Sequence, residues 1–223
     1  MGKIKKGVKM EVVQLQKHIS KRSEKIRYIV IHDTGNPSAG AGAEAHKRYF
    51  MTTDRKASAD FLVDEKKIIK LNDYYKYFTW HCGDGRGKYG ITNSNSIGIE
   101  MCINSDGNYV KTVNDTINLT YKLMKELKID LDHVVRHYDA SRKHCPGSMM
   151  PLNWAKWIDF KKALALFVEK QESPDVVLVE YRGNKSFIET INKDGFNYVK
   201  IRDLARILDK KVNYDGEKVT LQD

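Results

Sequence analysis

KIRYIVIHDTG, residues 25–35, is the stretch on which the fold turns. Tyr28 to Ile31 are aromatic, β-branched or both apolar and unbroken, and a Gly stops the run at position 35. A short continuous apolar run bounded by a turn residue reads as a strand buried on both faces. Such a strand needs a sheet with layers on either side. His32 falls at its end, where a side chain leaves the packed region and reaches a loop.

After it, AGAEAHKRYFMTT (41–53) places Ala45, Tyr49 and Phe50 at helical spacing. SADFLVDEKKIIKL reads as two strands joined at Asp64-Glu65-Lys66, and HCGDGRGKYG as a Gly-rich loop. In NSIGIEMCINSDG, strand alternation sends Ile97, Ile99 and Met101 one way, and Glu100 and Cys102 the other. TVNDTINLTYKLMKELKI begins with cap-type residues and carries Ile117, Leu119, Leu123, Met124 and Leu127, an amphipathic helix. HVVRHYD is a short strand and NWAKWIDFKKALALFVEK a last long helix. The expected fold class is α/β, a mixed central β-sheet flanked by helices.

A polar stretch with a Pro, QESPD (171–175), breaks this pattern. Beyond it, VVLVEYRG, KSFIETI, FNYVKI and EKVTL read as strands and IRDLARIL as a helix, a small α+β C-terminal domain. The expected organisation is a first domain over 1–170, a linker over 171–175 and a second domain over 176–223. The chain has 223 residues, 41% hydrophobic and 30% charged, which excludes a disordered or collagen-like chain. No run approaches the ~18 apolar residues of a membrane span. The N-terminal stretch is basic without an apolar core or cleavage site, so the expectation is synthesis in the cytoplasm without a signal peptide. Nine basic and eight acidic residues lie from Val176 onward, so residues 1–175 carry +9 of the formal +10. The larger unit is therefore suited to an anionic partner, nucleic acid or an envelope polymer.

Three cysteines (Cys82, Cys102, Cys145) argue against a disulfide framework and leave metal ligation or catalysis open. Of the seven histidines, His32 and His137 each end a β-branched run, and Cys145 follows His137 by eight residues in the turn KHCPG. A thiolate in a turn beside strand-end imidazoles suits Zn²⁺, and two His with one Cys leave a fourth position for water. Cys82 and Cys102 read as small buried hydrophobes. His133 reads as structural, and His144 as facing away from its neighbour Cys145. The loop around Gly83 fails as a phosphate-binding loop, because Cys82 stands where a Gly is required and Tyr89 where Ser or Thr is required.

Taken together, IVIHDTG, SADFLVD, WHCG, NSNSIGIEM, VVRHYD and RKHCPG occur in an order that resembles the type-2 N-acetylmuramoyl-L-alanine amidases, the family of phage endolysins and peptidoglycan recognition proteins. The resemblance covers about residues 25–168. It implies a zinc amidase fold, with Zn²⁺ held by His32, His137 and Cys145. It also implies Glu100 as the carboxylate that moves a proton, Lys143 as the ammonium facing the developing oxyanion, and His81 and Trp80 as substrate contacts at the cleft rim. Ala59 stands where relatives carry an aromatic, which places more of the proton transfer on Glu100. The implied activity is hydrolysis of the amide between N-acetylmuramic acid and L-alanine in peptidoglycan, in an endolysin that reaches the wall after release. Host autolysis of the same chemistry and non-catalytic peptidoglycan binding are the alternatives. Teichoic acid is a possible further partner. Nucleic acid is set aside, since no basic helix or aromatic platform is present. The C-terminal unit resembles the envelope module named after the amine oxidase N-terminal region, which implies wall attachment or self-association.

Overall fold

The stretch Tyr28–Asp33 is the second strand from one edge of a six-stranded mixed sheet. The computed structural model describes residues 9–172, 175–193 and 196–222; the basic N-terminal stretch 1–8, Ser173-Pro174 of the expected linker and Asp194-Gly195 lie outside them. The chain divides into two compact units, 1–167 and 168–223.

In the first unit the elements are β1 (Lys9–Val12), β2 (Ile19–Lys21), β3 (Tyr28–Asp33), α1 (Ala43–Thr52), β4 (Phe61–Val63), β5 (Lys67–Lys70), β6 (Tyr77–Thr79), β7 (Ser96–Met101), α2 (Tyr109–Leu127), β8 (Val134–Arg136), α3 (His137–Ser141) and most of α4 (Pro151–Glu172), whose residues from 168 on belong to the second unit. The sheet order is β1-β5-β4-β7-β3-β8, and β2 pairs with β6 apart from it. The four strands β4, β7, β3 and β8 are mutually parallel, whereas β5 runs antiparallel to β4. Parallel strands side by side bring their C-terminal ends to one edge, the place where ligands bind in open α/β sheets. His32 pairs in register with Glu100, and Glu100 in turn with Leu62, so all three point to one face.

That face is covered by α1, whose Ala43 and Phe50 pack with Leu15, Ala59, Leu62, Ile69, Leu71 and Cys102. Helix α2 packs on β4 and β7. It starts at Tyr109, three residues before the cap-type run that begins at Thr112. Asn108 is its cap, accepting from the Lys111 backbone N–H, so the TVND residues already lie inside the helix. In α4, Leu152, Asn153 and Trp154 take left-handed backbone angles, and regular helix follows them. Trp154 there stacks on the Arg136 guanidinium, 4.3 Å from the ring centre. Strands β1, β2 and β6 and the short helix α3 were not anticipated.

The second unit, described by itself, holds β9 (Asp175–Tyr181), β10 (Asn184–Lys193), β11 (Phe196–Val199), α5 (Ile201–Ile207), β12 (Lys211–Tyr214) and β13 (Val219–Gln222). β9, β10 and β11 form an antiparallel sheet and β12 and β13 a hairpin. Among its described residues, Ile188, Thr190 and Ala205 are buried. The mixed sheet flanked by helices and the small additional unit agree with the expected fold class. Among the described residues no helix is long and apolar enough to cross a membrane.

Candidate metal centre

The two strand-end histidines and the turn cysteine singled out by sequence meet. His32 is the penultimate residue of β3, His137 follows β8 as the first residue of α3, and Cys145 follows α3 in a turn. One potential ligand atom from each lies within 4.8 Å of the others, and all three residues are buried. Cys145 Sγ is 3.7 Å from His32 Nδ1. The rings of His32 and His137 are 4.6 Å apart, near edge-to-face. Burial pushes the Cys145 thiol up. Burial likewise holds His32 well below the ordinary imidazole range, with His137 next to it acting the same way. Burial also lowers His137, against the raising influence of Asp84. Both imidazoles are therefore neutral near pH 7, the form that binds a metal.

Their outer contacts fix which nitrogen carries the proton. Asp84 Oδ1 lies 2.7 Å from His137 Nε2. An ionised carboxylate only accepts, and Asp84 is held below its usual range: burial raises it, but the His137 hydrogen bond and the charges nearby outweigh that. His137 Nε2 therefore carries the hydrogen, and Nδ1 keeps its lone pair. That Nδ1 is buried with no partner among the described residues.

His32 is fixed by a longer chain. The Thr92 carbonyl can only accept, so the Ser96 hydroxyl donates to it. Ser96 Oγ then accepts from His81 Nε2 at 3.1 Å, and His81 Nδ1 accepts from His32 Nε2 at 3.0 Å. His32 Nδ1 is left as a lone pair facing Cys145. Two imidazole lone pairs and a thiol, buried and convergent, with one acceptor lacking any donor, fit a metal ion of the borderline-soft class.

Glu100 stands beside His32 on β7. Its Oε2 is buried without a partner, and burial, with Asp33 adding to it and Lys143 opposing, pushes its carboxyl up to about 8. The four groups open into a cleft of about 650 Å³. Lys143, an exposed residue, lines that cleft, as do Trp80 and His81. Trp80 is half-buried, its Nε1 donating to Ser20 Oγ at 3.0 Å. His81 is 7% exposed with both ring nitrogens engaged by His32 and Ser96, so only its ring edge faces the cleft.

Some residues lie where sequence reasoning did not put them. Ala59 is fully buried in the core beneath α1, and the aromatic wall of the cleft comes instead from Tyr49, Phe50 and Trp80. His144 lines the cleft, because Cys145 N–H donates to Lys143 O at 2.7 Å and this tight turn breaks the extended alternation that would send His144 away. Asp33, the residue after His32, accepts from Ser148 N–H at 2.6 Å and anchors the segment after Cys145. Asp84 was missed altogether, as its partner lies 53 residues away. Cys82 and Cys102 are both buried away from the cluster, as expected.

A buried His-His-Cys cluster beside a carboxylate, at the C-terminal edge of parallel strands, has the layout of a metallohydrolase centre. The family model for N-acetylmuramoyl-L-alanine amidase (Amidase_2) matches residues 22–148, more than half of the chain, and the chain belongs to that family. It is 38% identical over 140 residues to N-acetylmuramoyl-L-alanine amidase XlyA of Bacillus subtilis (strain 168), covering 61% of this chain and 43% of that protein. With N-acetylmuramoyl-L-alanine amidase CwlH of the same strain it shares 35% over 137 residues, 59% of this chain and 51% of that one. The chain thus spans about half, or less, of the length of these curated relatives. Among solved structures, a mutant endolysin from Bacillus subtilis is similar at TM-score 0.63 and 35% identity, covering 70% of this chain and 99% of the other. The catalytic domain of XlyA is similar at TM-score 0.61 and 34% identity, with the same two coverages.

Proposed function

We propose that this chain is a zinc-dependent N-acetylmuramoyl-L-alanine amidase that cleaves the lactyl–L-Ala amide of peptidoglycan. The observation that carries this reading is the convergence of His32 Nδ1, His137 Nδ1 and Cys145 Sγ beside the unpartnered Glu100 carboxylate in an open cleft. Zn²⁺ is the ion of choice for a two-nitrogen, one-sulfur set, and when bound it would supply a Lewis acid and lower the pKa of water. Water adds to the amide carbonyl carbon. Glu100 takes the proton that the water gives up and returns it to the leaving nitrogen as the C–N bond breaks. The products are the lactyl carboxylate of the muramic acid and a free L-Ala amino terminus. Lys143, which lines the cleft, would stabilise the oxyanion that forms in between. Trp80 and the edge of His81 would contact the substrate.

The catalytic function belongs, in this reading, to residues 1–170, with 171–175 as linker and 176–223 as a wall-binding or self-association domain related to the amine-oxidase-named envelope module. Leu178, Phe187, Ile191 and Tyr198 on one face of β9–β11 are exposed, which supports a binding role. The +9 of residues 1–175 suits anionic peptidoglycan and teichoic acid. An endolysin, made in the host cytoplasm and released to the wall in phage lysis, is the biological role that the likeness to a solved endolysin supports.

Digestion of purified cell walls with and without chelator tests this. Loss of turbidity with new free L-Ala amino termini, abolished by chelator and restored by Zn²⁺, is the expected result. New reducing sugars, or lysis indifferent to chelator, would overturn it.

A further inference from the structure

The outer partners of the two imidazoles come from one short segment. His81, which holds His32, and Asp84, which holds His137, are three residues apart in the loop that sequence reading could only describe as Gly-rich. The segment is fastened at two points. Asn93 Oδ1 accepts from the backbone N–H of His81 at 3.0 Å and of Cys82 at 2.7 Å. Gly85 lies against α3, where any side chain would overlap the Ala140 carbonyl. Helix α3 begins with His137, so this close approach is what brings Asp84 within reach of it. Asp84 Oδ2 also accepts from Ser141 Oγ on α3 at 3.2 Å. Both supports act on Nε2 of their imidazole and both leave Nδ1 aimed inward.

We propose that residues 81–85 form a two-armed clamp, in which His81 and Asp84 are positioning residues that set the tautomer and orientation of both imidazoles and so preform the metal centre. This rests on the metal reading above. The arms differ electrically. His81 offers the lone pair of a ring whose other nitrogen donates to Ser96, whereas Asp84 offers a carboxylate oxygen. The Asp84 arm therefore adds ligand basicity to orientation, while the His81 arm supplies orientation alone. A hydrogen-bonded partner of this kind is generally worth about 10–100-fold in metal affinity.

The test is Zn²⁺ affinity of the full chain, measured by competition with a chromogenic chelator, together with the thermal midpoint of the metal-free protein. Asp84→Ala and His81→Phe should each weaken Zn²⁺ by about 10–100-fold. Asp84→Asn and His81→Gln, which keep an acceptor oxygen, should recover most of that loss, Asp84→Asn less completely because the charge is gone. A merely structural role would lower the metal-free midpoint and leave Zn²⁺ affinity unchanged. The proposal is overturned if both Asp84→Ala and His81→Phe bind Zn²⁺ within about twofold of wild type, or if the acceptor-retaining variants bind no better than the truncated ones. A wild-type chain that binds no Zn²⁺ would instead remove the metal reading itself, and the clamp with it.

Discussion

Glu100→Gln probes the charge economy of the site in the metal-free protein. One oxygen of Glu100 is buried and unpartnered, and burial is the chief reason its carboxyl is pushed from 4.5 up to about 8. Between those two values the folded chain keeps this proton while the unfolded chain releases it. The folded state then binds more protons, so stability falls as pH rises from about 4.5 to about 8, and this contribution is level on either side. At about 1.4 kcal/mol per pH unit the ceiling is roughly 5 kcal/mol. The cleft is open, and water entry reduces the penalty to the ~1–3 kcal/mol typical of an uncompensated buried polar group. Glutamine has no proton to release, so the stability difference, Gln minus Glu, should grow by ~1–3 kcal/mol between pH 5 and pH 8. Contributions from His32, His81 and His137, present in both proteins, largely cancel. Urea unfolding in chelator, followed by tryptophan fluorescence, reads the first unit alone, because Trp80, Trp154 and Trp157 all lie there. A difference that stays flat across that range would refute the burial argument. With Zn²⁺ restored, the same variant should keep its metal and lose about 10²–10⁴ in turnover, in kcat more than KM. Retention of a third of wild-type turnover would remove Glu100 from the mechanism.

Cys145→Ser should lose tightly held Zn²⁺ and wall lysis together, since an open site with three protein ligands cannot spare one; metal content after gel filtration reads the first, and full lysis by metal-free protein would sink the ligand assignment. Gly98→Ala places a methyl 2.6 Å from His81 Cγ, so it should cost about 1–3 kcal/mol by overpacking and weaken Zn²⁺ by displacing the partner of His32. An unchanged urea midpoint would show that β7 has room to yield. A fragment of residues 1–172 should unfold cooperatively and release L-Ala termini from soluble muropeptides, because every group assigned to the chemistry lies before residue 167. Loss of its cooperative transition would make the second unit part of the same core.

What could be read in the sequence follows from how each element is stabilised. β3 and β7 are buried on both faces, so burial had to be written into consecutive residues, and Ile29, Val30 and Ile31 are all fully buried. β1 (KMEV), β2 (ISK) and β6 (YFT) are short pieces with half-polar sequences that become strands only through pairing with β5 or with each other. No local pattern announces them. α3 is five residues following a β-branched run, too short to show a helical period. The start of α2 was misplaced because three polar residues after Asn108 look as much like caps as the true one does.

The site divides along the same line. His32 and His137 could be singled out because each lies at a strand end, which can be located from the hydrophobic run that precedes it. Glu100 was singled out by the family resemblance of the SIGIE strand, with strand alternation turning it off the packed face. Cys145 was legible because of its spacing from His137. The groups that settle where the protons lie were not, since a hydrogen bond between Asp84 and His137, or along Thr92, Ser96, His81 and His32, joins positions with no periodic relation. A ligand set alone leaves four tautomer combinations for two imidazoles. The fold selects the one with both lone pairs directed inward, using a carboxylate and a backbone carbonyl that can only accept. Metal affinity in this chain should therefore depend on a loop that supplies no ligand, and variants of that loop should separate metal binding from fold stability more cleanly than variants of the ligands themselves.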